Sequence, residues 1–222
     1  MSDKQVDVAP QPVSTGITGL DDILRGGLTP NRLYLVEGTP GSGKTTLALQ
    51  YLLEGKRRGE RGIYVTLAET KSELEAVSHS HNWELGGIEI CELVPSEERL
   101  APGSELTMFH PSEVELGETT KAMLDAIEKV DPKRVVLDSL SELRMVAQSS
   151  LRYRRQILAL KQYFSGRQRT VLMLDDLTTN PEDSQLHSIA HGVITLEQLA
   201  TQYGAERRRL RVAKMRGVMG GV

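Results

Sequence analysis

The chain has 222 residues, enough for one α/β domain with a large buried core and short for two. Hydrophobic residues make up 39% and charged residues 26%, and the net charge is −3, which excludes a fibre, bulk disorder and a global field that would recruit nucleic acid. The apolar runs are strand length, below the about 18 residues of a spanning helix, and no charged-then-apolar signal opens the chain, so no membrane contact and a cytoplasmic location are expected.

Residues 1–13, with Pro10 and Pro12, read as a flexible leader, and residues 14–222 as a single domain. GITGLDDILRGGLTP reads as a short amphipathic element closed by Gly26 and Gly27. A strand is expected over about 32–37, a helix over 45–58 and a second strand over 63–67. Thr70 and Glu73 have the spacing of a capping box, which predicts a helix to about His81. A third strand at 88–93 contains the single cysteine, Cys91, expected as a core thiol. Residues 95–111 read as a surface loop, and Ser112 with Glu115 as a second capping box opening a helix to about Val130. Strand RVVLD, a helix within 151–164 and strand TVLMLD follow.

Apolar strands alternating with helices predict an α/β fold, a mostly parallel twisted sheet flanked by helices. GVITLEQ and RRRLRVAKM, joined by a connection containing Gly204, read as antiparallel strands added near the C-terminus. Because the chain stops at GVMGGV just after a strand, the domain is expected to be truncated at its C-terminus.

The stretch GTPGSGKT, Gly38 to Thr45, lies between the first strand and the first long helix and has the GxxxxGKT pattern of a phosphate-binding loop. Its glycines let consecutive N–H groups face an anion, and the helix adds the positive end of its dipole. Gly38, Thr39, Pro40, Gly41, Ser42, Gly43, Lys44, Thr45 and Thr46 are the candidate nucleotide-binding residues. Lys44 would reach the β- and γ-phosphates, and the Thr45 hydroxyl would sit on Mg²⁺. The sequence therefore predicts binding of a nucleoside triphosphate with Mg²⁺.

Asp138 ends VVLD at the carboxyl edge of a buried strand, where ligands sit in open α/β sheets, and is the candidate to hold Mg²⁺ through water. Glu69, at the carboxyl edge of the preceding strand, reads either as the base that polarises an attacking water or as a solvated first-turn glutamate. Lys214 and Arg216, two apart on the last strand-like run, point to one face and read either as a phosphate clamp, in their own or a neighbouring subunit, or as a solvated edge. The clusters Arg152, Arg154, Arg155 and Arg207, Arg208, Arg209, Arg211 lack the interleaved aromatics of single-strand binders, so solvated or subunit-facing surfaces are expected rather than nucleic-acid contact. His79 and His81 are expected exposed, without metal spacing.

These elements in this order resemble the KaiC-like branch of the RecA/DnaB superfamily of oligomeric ATPases. TGITGLDDILRGGL is similar to that family's opening segment, GTPGSGKTT to its Walker A, VVLDSLSEL to its Walker B and KMRG to its C-terminal basic motif. The resemblance implies a RecA-like P-loop NTPase fold and a homo-oligomeric ring, usually a hexamer, with ATP and Mg²⁺ between neighbours. It also implies hydrolysis that drives a regulatory switch with a protein partner. It makes Lys214 and Arg216 residues that reach the adjacent subunit's γ-phosphate, and it supports Glu69, although the family often has two acidic residues there and the first position is Ala68. Two other activities are compatible with the resemblance: a serine/threonine autokinase and a DNA-dependent ATPase.

Overall fold

The computed structural model describes residues 10–93, 111–177, 184–199 and 207–217. Residues 1–9 of the expected leader over 1–13, residues 95–110 of the expected loop over 95–111, the Gly204 connection and the last five residues lie outside the described residues, while Val13 exchanges backbone hydrogen bonds with Leu28 at 2.7 and 2.8 Å. The elements are α1 (Thr18–Ile23), β1 (Leu33–Gly38), α2 (Lys44–Arg57), β2 (Gly62–Thr66), α3 (Lys71–Ser80), β3 (Ile88–Glu92) and α4 (Pro111–Val130), followed by β4 (Arg134–Asp138), α5 (Leu140–Ala147), α6 (Ser150–Phe164), β5 (Thr170–Asp176), α7 (Ser184–Ile189), β6 (Gly192–Leu199) and β7 (Arg207–Met215).

One sheet runs in the order β3-β2-β4-β5-β1-β6-β7, and every strand pair is parallel except β6 with β7. Strand alternation sorts the side chains to two faces. Leu33, Leu35, Ile63, Val65, Val135, Leu137, Val171 and Met173 pack with buried residues of α4 to α7, whereas Tyr34, Val36, Tyr64, Val136, Leu172 and Leu174 pack with those of α1 to α3. Burial on both faces is why these strands read as continuous apolar runs. The helices answer with matching stripes. Leu116, Thr120, Met123 and Ile127 of α4, and Tyr153, Ile157, Leu160 and Phe164 of α6, share one spacing and are all buried. Each fully buried aliphatic side chain contributes about 1.5–3 kcal/mol.

The capping box at α3 forms as expected: Glu73 N–H donates to Thr70 Oγ1 at 3.3 Å and Thr70 N–H donates to Glu73 Oε2 at 2.7 Å. The second expected box involves Ser112, whose side chain lies outside the described residues. The helix α4 already includes Pro111, so Ser112 lies inside its first turn; a proline is tolerated there because its missing N–H has no intrahelical partner. Two helices unread in the sequence are present, α5 directly after β4 and α7 before β6. Cys91 is half-buried against the core, and burial pushes its thiol pKa up. Among the described residues no helix is long and apolar enough to cross a membrane.

The edge of the sheet where the parallel strands start is held by one buried charge. The Arg134 side chain, 1% exposed, pairs with Glu60 at 2.6 Å, donates to the carbonyls of Ser14 at 2.7 Å and Tyr51 at 2.8 Å, and lies 4.7 Å over the Tyr51 ring. It passes α2 at Gly55, where an added Cβ would stand 2.4 Å from Arg134 Cδ. The cation thereby ties the segment before α1 to α2 and β4. Arg134→Ala is expected to lower unfolding free energy by about 3–5 kcal/mol, because Glu60 and two carbonyls lose their donor in a buried site; urea denaturation with Arg134→Lys alongside checks this, and lysine should recover only part, having no planar fork.

Candidate nucleotide site

The GTPGSGKT loop leaves the sheet at Gly38, whose register partners are Asp176 on β5 and Leu196 on β6. An added Cβ on Gly38 would stand 2.4 Å from Ser42 Oγ and 2.7 Å from the Leu196 carbonyl, so the loop turns back on itself only with glycine here. Gly41 and Gly43 hold φ of +79° and +102°, and α2 starts at Lys44. Ser42 is buried beneath the loop, while Thr39, Pro40 and Gly41 are exposed and Gly43, Lys44, Thr45 and Thr46 half-buried.

Neighbouring strands bring the acids. Asp138, 6% exposed, ends β4 beside Thr66 of β2 and Leu174 of β5, and the Asp138–Ser139 peptide is cis. Tyr64 on β2 donates its hydroxyl to Asp138 Oδ2 at 2.5 Å. Burial raises the Asp138 carboxyl above its usual range and the Asp176 charge adds to this, against the Tyr64 hydrogen bond and the Lys44 charge. Glu69 follows β2 in a turn pinned by Thr66: Glu69 N–H donates to Thr66 Oγ1 at 2.9 Å and that hydroxyl donates to the Glu69 carbonyl at 2.7 Å. Thr45 Oγ1 donates to Glu69 Oε1 at 3.4 Å, and Oε2 is buried with no partner among the described residues. Burial first, and the Asp138 charge second, raise the Glu69 carboxyl.

Lys44 Nζ is 2.9 Å from Asp176 Oδ1 and donates to the Gly38 carbonyl at 2.8 Å and the Thr39 carbonyl at 3.2 Å. Lys44, Thr45, Glu69, Asp138 and Asp176 line one cavity of about 360 Å³, which Arg208 of β7 also lines. The Arg208 guanidinium comes within 3.7 Å of where a Cβ on Gly43 would stand. Asp176 and Arg208 were not read as site residues. The acid-ended run TVLMLDD carries a signal like that of VVLD, whereas nothing local marks Arg208 off from the arginines around it.

Lys214 and Arg216 lie elsewhere. Because β7 is antiparallel, Met215 pairs with Gly192, which pairs with Tyr34, four residues before Gly38. At about 3.3 Å per residue this puts the end of β7 about 13 Å from the chain's own loop, at the opposite edge of the sheet. Arg216 falls one residue past β7 rather than on it. The two side chains still turn to the same element, since Lys214 donates to the carbonyls of His187 and Ala190 and Arg216 to that of Ser188. Arg154 and Arg155 are exposed and Arg152 is half-buried; Arg209 pairs with Glu197; His79 and His81 are exposed.

A glycine-built loop between a central parallel strand and a helix, with carboxylates from adjacent strand ends, defines a nucleotide-binding protein of the RecA-like P-loop class. A family model described as "ATPase: KaiC" matches residues 13–220, and the chain belongs to that family. A UPF0273 protein of Aeropyrum pernix is 30% identical over 92% of this chain and 85% of its own length. A circadian clock oscillator protein KaiC of Prochlorococcus marinus is 28% identical over 97% of this chain, which spans 43% of that longer protein. The crystal structure of a KaiC-like protein from Pyrococcus horikoshii matches with a TM-score of 0.73 at 23% identity, covering 95% of this chain and 91% of that one, and shares the fold.

Lys44→Ala should weaken triphosphate binding by roughly 10- to 100-fold, the worth of one charge-assisted contact of about 1.5–3 kcal/mol. Titration with a fluorescent triphosphate analogue, with the fold checked by circular dichroism, reads the change directly.

Proposed function

We propose that this chain hydrolyses ATP with Mg²⁺ at sites shared between copies of itself, and that nucleotide state switches the geometry of the assembly, the homohexamer that the resemblance implies. The observation that carries the reading is the antiparallel course of β7: it sets Lys214 and Arg216 back from their own loop by about 10 Å or more along the strands. A phosphate clamp formed by these residues therefore belongs to a neighbour's site.

The residues present fit the metal. Thr45 and Asp138 offer the hydroxyl and carboxylate oxygens that a hard cation takes, and among the described residues no cluster of three or more His, Cys, Asp or Glu builds a dedicated all-protein cage. When bound, Mg²⁺ supplies charge neutralisation at the phosphate oxygens. Thr45 would ligate it directly and Asp138 through water, with Tyr64 fixing the Asp138 carboxylate by its hydroxyl. The backbone of the glycine loop and Lys44 would hold the phosphates. Glu69 would accept the proton of the attacking water at Oε2, the oxygen without a partner among the described residues. Its raised pKa makes it a stronger base than an exposed glutamate. Lys214 and Arg216 of the adjacent copy would stabilise charge on the γ-phosphate as hydrolysis proceeds.

Phosphate release followed across a wide range of protein concentration, with native mass measured at each point, tests the shared site. Activity per subunit should rise to a plateau as copies assemble; full activity in a species with the mass of one chain overturns the proposal. Glu69→Gln should keep ATP binding and lower turnover by about 100-fold or more. Because the Glu69 carboxyl is raised and must be ionised to act, the acid limb of kcat/KM should lie above the ordinary glutamate value of about 4.3, activity falling as pH drops through it. A pH–rate profile checks this.

A further inference from the structure

Lys214 and Arg216 are held by the end of one short helix of their own chain. Lys214 Nζ donates to the carbonyl of His187 and, at 3.0 Å, to that of Ala190, and an Arg216 guanidinium nitrogen donates to the Ser188 carbonyl at 2.7 Å. These carbonyls close α7 and the residue after it. The last carbonyls of a helix lack intrahelical donors and carry the negative end of its dipole, so they are suitable anchors for two cations. An ammonium has three donors and a guanidinium five, so both groups keep N–H bonds for a further anion. Where α7 sits therefore decides where the basic pair points.

The position of α7 is in turn tied to the nucleotide loop. His187 Nε2 lies 2.7 Å from Glu37 Oε2, and Thr195 on β6 donates its hydroxyl to Glu37 Oε1 at 3.0 Å. Glu37 is 8% exposed and immediately precedes Gly38, the first residue of the loop. The linkage is continuous: loop, Glu37, His187, the α7 carbonyls, then Lys214 and Arg216. It runs from the edge of the sheet that holds the chain's own nucleotide site to the opposite edge, where the chain ends its last strand.

We propose that His187 is a positioning residue that couples one subunit's phosphate loop to the catalytic service it gives its neighbour. A shift of the loop on nucleotide binding moves Glu37, the carboxylate carries His187 and α7 with it, and the α7 carbonyls re-aim Lys214 and Arg216 at the adjacent site. Coupling then passes around the assembly in one direction. This rests on the shared-site reading above and adds to it the route by which the occupied site of one copy reaches the next.

Mixed assembly separates the two claims. Glu69→Gln subunits bind nucleotide and keep the basic pair but lack the base, and Arg216→Ala subunits keep the loop and the base but cannot serve a neighbour. Each alone should be nearly inactive, and mixed rings, verified by native mass, should recover phosphate release from Arg216→Ala sites served by Glu69→Gln neighbours. Absence of recovery overturns the shared site and the coupling with it, before any change at His187 is made. With recovery established, His187→Ala is placed in one partner at a time. Placed in the Glu69→Gln subunit, it should cut the recovered activity at least tenfold; placed in the Arg216→Ala subunit, it should change it less than twofold. A loss of a merely structural kind would fall on both arrangements alike, and equal losses, or a loss confined to the second arrangement, overturn the proposal. His187→Gln, which keeps an N–H donor for Glu37, should restore part of the activity in the first arrangement. It also keeps the test valid if the alanine variant fails to fold; no difference between glutamine and wild-type histidine in either arrangement, combined with no loss for alanine, again overturns it.

Discussion

Six strands running in one direction put six carboxyl ends along one edge of the sheet, and the rest of the site depends on that constraint. The strand β1 sits between β5 and β6, so its loop opens beside Asp176 and Leu196; β4 and β2 stand next in line and deliver Asp138 and Glu69 to the same edge. None of these residues is near another in the chain. Parallel pairing is what converts their shared position at strand ends into shared position in space. The one reversal, at β7, has the opposite effect. It brings Arg208, at the start of the strand, over the chain's own loop and sends Lys214 to the far edge.

The cavity collects three carboxylates, Glu69, Asp138 and Asp176, around the single ammonium of Lys44, with Arg208 at its wall. Their mutual repulsion appears in the raised carboxyls of Glu69 and Asp138, after the larger effect of burial. A triphosphate would add further negative charge to this group. Cations from outside the cavity would offset that charge, which is the part proposed for Mg²⁺ at Thr45 and Asp138 and for a basic pair of another copy. Tyr64 has a distinct part in this balance: its hydroxyl favours the ionised form of Asp138 without adding a charge.

What was legible in the sequence was whatever is decided locally or by strong periodicity. The phosphate loop, the alternation of apolar strands with helices, the antiparallel pair at the end and the Thr70–Glu73 cap all rest on residues close together in the chain. At Ser112 the expected helix start is shifted, since Pro111, one residue earlier, already belongs to the helix. The helices α5 and α7 are eight and six residues long, too short for their apolar periodicity to stand out. Asp176 and Arg208 become site residues only through strand register, and the contacts of Lys214 and Arg216 with α7 depend on which way β7 runs. Which strands of a sheet lie side by side, and which helix end a strand passes, are long-range properties that local propensity and residue spacing do not encode.

Arg134 anchors the fold at the start of β4, while Asp138, at the other end of the same five-residue strand, faces the cavity. Cohesion and chemistry thus occupy opposite rims of one sheet, separated by a core of interlocked aliphatic side chains. The clasp formed by Arg134, Glu60, Ser14 and Tyr51 shares no residue with the lining of the cavity at the other rim. In evolutionary terms the two rims are separate workshops: the acids and loops of one can be exchanged for new rates and partners while the other goes on holding the domain together.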